Sequence, residues 1–239
     1  SSPDSYAELK KKDYKAIFLG MGLGSSQKLP DAKRPAVGVE DANSFLRRVK
    51  SGADCAVPAR VAVLGGGNTA MDAAVVAKRC GARDVYLVYR RSFDEMPAWP
   101  KERDHALEEG VHFLTLTQPL DYIADNGKLK ALKVSRTVLG EPDAGGRRKP
   151  VAIANSESEI PVDLVIEALG QNPVSGIDKV IPGLELNRSG FIKVNGDFKT
   201  SIDGIYAGGD IVNGGTTAVR AVAEGMKAAK AINTKETVK

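Results

Sequence analysis

Three consecutive glycines, Gly65-Gly66-Gly67, follow the apolar run Arg60-Val61-Ala62-Val63-Leu64 and precede Asn68-Thr69-Ala70 and an apolar-periodic stretch reaching about Cys80. Strand, glycine turn and helix in that order make a phosphate-binding turn. Glycine lets the backbone approach a pyrophosphate, and the helix N-terminus offers N–H groups and a partial positive charge. Ala70 takes the third small position, where helix and strand pack closely. A second strand, Val85-Tyr86-Leu87-Val88-Tyr89, closes a βαβ unit and delivers Arg90 and Arg91. An acid at that strand end would bind the ribose 2′-hydroxyl of NAD, whereas arginines suit the 2′-phosphate of NADP. The spacing of strand, glycines, helix and charge makes the pattern far more specific than glycines alone. The lesser reading is a glycine turn with solvated arginines in some other α/β protein.

A second constellation is Ile205-Tyr206-Ala207-Gly208-Gly209-Asp210, followed by Thr216-Thr217 at the start of an apolar-faced helix. An aspartate after two glycines at a strand end can accept a hydrogen bond from a ligand hydroxyl. The threonines can cap the helix, whose positive end can meet an electron-rich group. On chemistry alone an ordinary Gly-Gly-Asp turn is an equal reading.

Other residues with chemical potential point elsewhere. His105 and His112 have no partner visible in the sequence and read as structural or surface residues. Glu102 and Arg103 follow the Met96-Pro97-Ala98 turn and read as helix surface, with the lining of a nicotinamide path as the sharper alternative. No Ser/His/Asp triad or metal-ligand spacing is present. Cys55 and Cys80 form no CxxC pair, which argues against a thioredoxin-type redox centre and against an iron–sulfur cluster ligated within this chain. The basic runs Lys10-Lys11-Lys12 and Arg147-Arg148-Lys149 read as solvated surface rather than as nucleic-acid contacts.

The elements that must position these residues follow from composition and periodicity. With 239 residues, 42% hydrophobic and 27% charged at a net charge of +4, the chain can bury one large core or two small ones. No apolar stretch approaches the roughly 20 residues of a bilayer span, and no signal peptide opens the chain, so a reducing cytoplasm is the expected compartment. The chain starts at Ser1 without methionine and soon enters a strand, which reads as the middle of a protein.

The pattern predicts a polar helix at 5–12, a buried strand over 14–24 breaking into Gly20-Met21-Gly22-Leu23-Gly24, a linker loop at 27–39 and an amphipathic helix at 39–50. After the βαβ unit come a helix at 101–109 and a strand at 111–116. Strands at 129–139 and 151–153 flank a glycine-rich hairpin, and a continuous apolar strand covers 160–170. Strands at 192–194 and 205–207 precede a long helix from about Thr216. Residues 58–170 thus read as one doubly wound domain with a β excursion.

The ordered set Tyr14-Lys15-Ala16-Ile17-Phe18-Leu19-Gly20-Met21-Gly22, Gly65-Gly66-Gly67-Asn68-Thr69-Ala70-Met71-Asp72, Tyr89-Arg90-Arg91, Met96-Pro97-Ala98, Glu109-Gly110-Val111, Ala168-Leu169-Gly170 and Ala207-Gly208-Gly209-Asp210-Ile211-Val212 resembles the small (beta) subunit of NADPH-dependent glutamate synthase and its relatives, including the flavin–NADPH part of dihydropyrimidine dehydrogenase. The resemblance covers essentially the whole chain. It implies a doubly wound, Rossmann-like NADP-binding domain inserted in a partial FAD-binding domain of the two-dinucleotide-binding flavoprotein type. Residues 1–57 would be a remnant of the FAD-binding domain plus a linker helix, 58–170 the NADP-binding domain, and 171–239 the C-terminal FAD segment. The family's N-terminal part, with cluster-binding cysteines and the first glycine fingerprint, has no counterpart in this chain.

By the same resemblance, NADP(H) would be held by Gly65, Gly66, Gly67, Asn68, Thr69, Arg90 and Arg91. Asn68 stands where many relatives carry Asp. FAD in the full-length protein would be met by Gly209, Asp210, Thr216 and Thr217, with Asp210 on the ribitol, and Gly170 belongs to the same set of motifs. NADPH would pass hydride to the flavin, and iron–sulfur clusters or a partner subunit or domain carrying the substrate site would take the electrons. The alternative is a non-catalytic NADP(H)-binding sensor or interaction module. Against it stands the pairing of both constellations, since a sensor needs only the first.

Overall fold

A computed structural model describes residues 3–12, 14–52, 55–142 and 146–237. The chain divides into two compact units, one formed by Ser26–Gly170 and the other by Ser1–Ser25 with Gln171–Lys239.

In the 26–170 unit, β1 (Val39–Asp41) leads into α1 (Ala42–Lys50), and β2 (Arg60–Leu64) into α2 (Asn68–Arg79). Then follow β3 (Asp84–Val88), α3 (Pro100–Glu108) and β4 (His112–Leu114). Four antiparallel strands come next: β5 (Thr117–Asp125), β6 (Lys128–Pro142), β7 (Arg148–Ala152) and β8 (Ser158–Pro161). The unit closes with β9 (Leu164–Glu167).

The five strands β1-β9-β2-β3-β4 form a wholly parallel sheet in that order. Parallel sheets are covered on both faces, and the sequence shows how. Within β2, Val61 and Val63 join the core with Phe45 of α1 and Met71 and Ala74 of α2, while Ala62 and Leu64 join Leu129, Leu132 and Val134 of β6. The period-two alternation therefore serves two layers at once, helices on one side and the antiparallel sheet on the other. This second sheet, ordered β8-β6-β5 with β7 also on β6, is larger than the expected hairpin excursion. Strand β5 escaped the sequence reading because Pro119 and register shifts on either side of Asp121 and Ile123 break its alternation.

The unit also takes in residues 26–57, which the sequence reading grouped with the FAD remnant. The reason is that β1 pairs with β9, and α1 buries Ala42 and Phe45 in the core of α2. Asp41 caps α1, its Oδ1 accepting from the Ser44 N–H at 2.9 Å. The expected strand over 160–170 is two strands, turned at Val162 and Asp163.

The second unit is built around a parallel pair, Ile17–Leu19 with Ile205–Ala207. Leu19, Ile177, Ile181, Ile192, Ala207 and Ile211 make its core. The predicted strand over 14–24 shrinks to three residues, and Tyr14, Phe18 and Met21 are exposed. Residues 192–194 form only a bridge, Ile192 to Leu186. The terminal helix is Ala218–Thr237, and its apolar residues Val219, Val222 and Met226 are exposed, whereas Glu224 and Ala228 are buried.

At the end of the parallel sheet away from the glycine turn, Arg60 grips Asp163 in two hydrogen bonds, Nε to Oδ2 at 2.9 Å and Nη2 to Oδ1 at 2.7 Å. The Arg60 bond holds the Asp163 carboxyl below its ordinary range, against a smaller effect of burial. A depressed carboxylate stabilises the fold fully above its unfolded value of roughly 3.9, and loses that contribution as pH falls through the lower folded value. Because both groups are about a third exposed, Asp163→Asn is expected to cost on the order of 1 kcal/mol or less near neutrality. Urea denaturation of both proteins at about pH 7 and pH 3 checks this: the gap between them should close in acid. A gap that widened on acidification would contradict the assignment.

Candidate nucleotide-binding site

A cavity of about 580 Å³ opens at the C-terminal ends of β2, β3 and β9, lined by Gly65 to Gly67, Val88 to Arg91 and Ala168 to Gly170. Here the order of the parallel sheet reverses. From β2 the chain steps outward through β3 to β4, then returns to β9 on the other side of β2. Ligands of open α/β sheets bind at such switch points.

The three glycines differ in what they do. Gly65 sits at φ +139°, and a Cβ there would lie 2.4 Å from the Ala168 carbonyl oxygen. Gly66 lies under the Tyr89 ring, which a Cβ would meet at 2.6 Å. That ring is held by its hydroxyl, which donates to the Glu95 carbonyl at 2.9 Å. Gly67 caps α2 without a side-chain hydrogen bond, and a Cβ there would meet nothing within 4 Å. A helix N-terminus with open space before it suits a pyrophosphate, so the turn fits a dinucleotide on its own geometry. Gly170, at φ +107°, lines the same cavity and accepts the Gln27 N–H at 2.9 Å.

Arg90 and Arg91 both border the cavity. Arg90 is exposed, whereas Arg91 is 7% exposed and its Nε donates to the Arg148 carbonyl at 2.7 Å. Asn68 and Thr69 occupy the exposed first turn of α2 and are not part of the lining. Asn68 Oδ1 instead accepts the Trp99 N–H at 2.9 Å and so ties the start of α3 to the glycine turn. Arg103, a candidate for a nicotinamide path, donates to the Phe93 carbonyl at 2.7 Å and lies over the Phe93 ring. His105 lies on the α3 surface beside Arg79 and Glu109, and His112 packs against Tyr86.

Sequence reasoning missed two contributors to this site. The first is the 27–31 loop, expected to be a linker but forming one wall of the cavity. It is held by Glu167, whose side chain is 2% exposed and accepts three hydrogen bonds. The Leu29 N–H and the Tyr122 hydroxyl both reach Oε1 at 2.7 Å, and Arg34 pairs with Oε2. Burial, followed by the bond to Glu167, pushes the Tyr122 hydroxyl far above its ordinary range, so Tyr122 remains a donor. A buried Glu ending an apolar strand was the available signal, because such a charge is rarely buried unless paired. The second contributor is Arg147, read from the sequence as solvated but bordering the cavity. Only the folding back of the β6–β7 hairpin brings it there, and residues 143–145 lie outside the described residues.

The other candidates lie in the second unit. Gly209 adopts φ +75°, ψ −155°, a backbone conformation open essentially to glycine alone, and starts the short helix Asp210–Asn213. Its N–H donates to the buried Glu224 at 2.7 Å, and Glu224 also accepts from Asn213 and from Arg220. Burial raises the Glu224 carboxyl, but the bonds from Gly209, Asn213 and Arg220 outweigh it and hold the group below its ordinary range. A charged Glu224 thus fixes the turn that presents the half-buried Asp210. Thr217 Oγ1 accepts the Arg220 N–H at 3.3 Å, the cap expected of it, and Thr216 is exposed beside it.

Among the described residues, no helix is long and apolar enough to cross a membrane, and no group of three His, Cys, Asp or Glu is placed to hold a metal ion. Cys55 and Cys80 are free thiols. Burial, and then the neighbouring Cys55 thiol, push the Cys80 thiol upward, which disfavours its reactive thiolate.

The chain is 40% identical to the glutamate synthase [NADPH] small chain of Escherichia coli over 236 residues, covering 92% of this chain and 50% of that one. It is 39% identical over 227 residues to the beta subunit of the NADP(+)-dependent formate dehydrogenase of Moorella thermoacetica, covering 93% of this chain and 32% of that protein. The chain thus spans half or less of these relatives. In fold it is similar to the thioredoxin reductase of T. acidophilum, with a TM-score of 0.71 at 19% identity over 93% of this chain and 66% of that one. It is also similar to Mycobacterium tuberculosis FprA, with a TM-score of 0.72 at 18% identity over 97% of this chain and 67% of that one. The fold is therefore that of the two-dinucleotide-binding flavoproteins. Residues 4–225 match the pyridine nucleotide-disulphide oxidoreductases, and the chain belongs to that family.

Proposed function

We propose that this chain is the NADPH-binding part, with the C-terminal FAD segment, of a flavoprotein oxidoreductase of the glutamate synthase small-subunit type, working in the cytoplasm. When bound, NADPH and FAD would supply the hydride-transfer chemistry, with iron–sulfur clusters or a partner subunit receiving the electrons. The relatives named as a small chain and a beta subunit support a role within a larger assembly.

The observation that carries this reading is the meeting of the Gly65 turn with Arg90 and Arg91 at the switch point of one sheet. Gly67 and the first turn of α2 would hold the pyrophosphate, and Arg90 and Arg91 the adenosine 2′-phosphate. Gly170 and the 27–31 loop would close the opposite wall. In the second unit, Asp210 on its Glu224-fixed turn would take a flavin ribitol hydroxyl. The terminal helix, capped by Thr217, would offer its positive end to the flavin ring.

Calorimetric titration of the purified chain tests this. Charge-assisted contacts to a phosphate are worth roughly 1.5–3 kcal/mol, so NADPH should bind about tenfold to a hundredfold more tightly than NADH. Equal affinities would defeat the proposal.

A further inference from the structure

We infer that the β6–β7 hairpin supplies a third arginine to the nucleotide cavity, Arg147, and that this residue helps select a 2′-phosphorylated adenosine over an unphosphorylated one. The inference rests on the NADPH reading above and adds a specificity-determining residue to it.

The run Arg147-Arg148-Lys149 does not act as one solvated patch. Arg148 turns back on its own hairpin, Nε donating to the Gly140 carbonyl at 3.2 Å and Nη2 to the Leu139 carbonyl at 2.8 Å. Lys149 is exposed within β7, and Arg147 borders the cavity with Arg90 and Arg91. The hairpin is anchored to the very strand end that carries those arginines. Arg91 Nε donates to the Arg148 carbonyl at 2.7 Å, and the buried Thr137 hydroxyl of β6 donates to the Arg90 carbonyl at 2.8 Å. The Leu116 N–H donates to the Arg91 carbonyl at 2.9 Å, and the Thr137 N–H to the Leu116 carbonyl at 2.8 Å. The hairpin and the end of β3, distant in sequence, are therefore held in register by two direct hydrogen bonds and by two more relayed through Leu116, and the register delivers the base of Arg147 to the cavity rim.

The charge balance of the rim points to an anion. Its described lining includes Lys28, Arg90, Arg91 and Arg147, against the carboxylate of Asp31. Cations brought together repel one another, so the arrangement is favourable only with a counter-charge. A dinucleotide pyrophosphate meets the Gly67 end of the cavity. The arginines at the end of β3 and on the hairpin stand apart from that turn in sequence and suit a second phosphate, which only the 2′-phosphorylated nucleotide carries. A guanidinium on a hairpin offers a planar fork of donors to such a group, which a lysine does not.

The test titrates NADPH and NADH into the wild-type chain, Arg147→Ala, Arg147→Lys and Lys149→Ala, with thermal melts to confirm folding. Arg147 and Lys149 are exposed, so all variants should melt with the wild type. Arg147→Ala should weaken NADPH binding roughly tenfold and leave NADH unchanged. Arg147→Lys should recover part of the loss, and Lys149→Ala, which removes the same charge two residues away, should keep the wild-type preference. Adenosine 2′,5′-bisphosphate against 5′-AMP should repeat the pattern without the nicotinamide. A wild-type preference for NADPH that survives Arg147→Ala overturns the role of the hairpin and leaves the NADPH reading standing. An equal loss for both nucleotides, or an equal effect of Lys149→Ala, overturns phosphate selection by Arg147. Absence of any preference in the wild type overturns the NADPH reading, and this inference with it.

Discussion

Gly65→Ala is expected to abolish nucleotide binding and to destabilise the 26–170 unit by roughly 2–4 kcal/mol. Two effects add at this position. The backbone angle of φ +139° is one that residues with a Cβ rarely adopt, and the new methyl would lie 2.4 Å from the Ala168 carbonyl oxygen. That oxygen is backbone at the end of β9, so no flexible side chain can move aside; β2 and β9 would have to part. The Ala168 N–H bond to the Leu64 carbonyl at 2.9 Å ties the end of β9 to β2, and the Gly65 N–H bond to the Val88 carbonyl at 3.1 Å ties β2 to β3, so both would be strained. Gly67→Ala is the informative contrast. Its φ of −91° suits any residue, and a Cβ there has open space around it. The fold should be unchanged, while the methyl occupies the approach of the pyrophosphate. Urea denaturation with NADPH titration separates the two: Gly65→Ala loses both stability and binding, Gly67→Ala binding alone. A Gly65→Ala protein with the wild-type midpoint and affinity would show that the turn has been read wrongly.

Glu167→Leu should cost about 3–5 kcal/mol, the usual consequence of removing one partner from a buried charge network. The side chain is 2% exposed, and its loss leaves the Leu29 N–H, the Tyr122 hydroxyl and the Arg34 guanidinium without their acceptor. Glu167→Gln keeps an oxygen for Leu29 and Tyr122 but turns a poor partner toward Arg34, so a smaller cost of about 1–3 kcal/mol is expected. The consequence reaches the cavity because the Leu29 bond fixes the 27–31 wall. Both nucleotides should bind more weakly in Glu167→Leu, which removes the Leu29 acceptor, and nearly normally in Glu167→Gln, which keeps it, with the ratio of NADPH to NADH unchanged in each, since no phosphate contact is touched. Denaturant midpoints and paired titrations give the answer. A Glu167→Leu protein within about 1 kcal/mol of wild type would mean that the network is not stabilising.

The glycine turn and its flanking elements were legible in the sequence because their parts are local. Arg60 to Arg91 form one βαβ segment, in which period-two and period-3.6 patterns, the glycines and the terminal arginines lie within a few dozen residues. The same holds for Gly208-Gly209-Asp210, whose strand end and backbone needs are set by neighbouring residues. What the sequence could not give was everything decided by long-range pairing. Residues 26–57 join the nucleotide unit only because β1 finds β9, more than a hundred residues away. The 27–31 loop becomes a wall only because Glu167 is buried beneath it. The terminal helix reads as amphipathic, yet it buries Glu224, which accepts the Gly209 N–H from a distant turn, and leaves Val219, Val222 and Met226 exposed. Arg147 lies in a polar, glycine-rich stretch that looks solvated from its neighbours alone. Its place at the cavity depends on the antiparallel register of β6 and β7 and on a hydrogen bond to Arg91, fifty-seven positions from Arg148, and no local pattern encodes either.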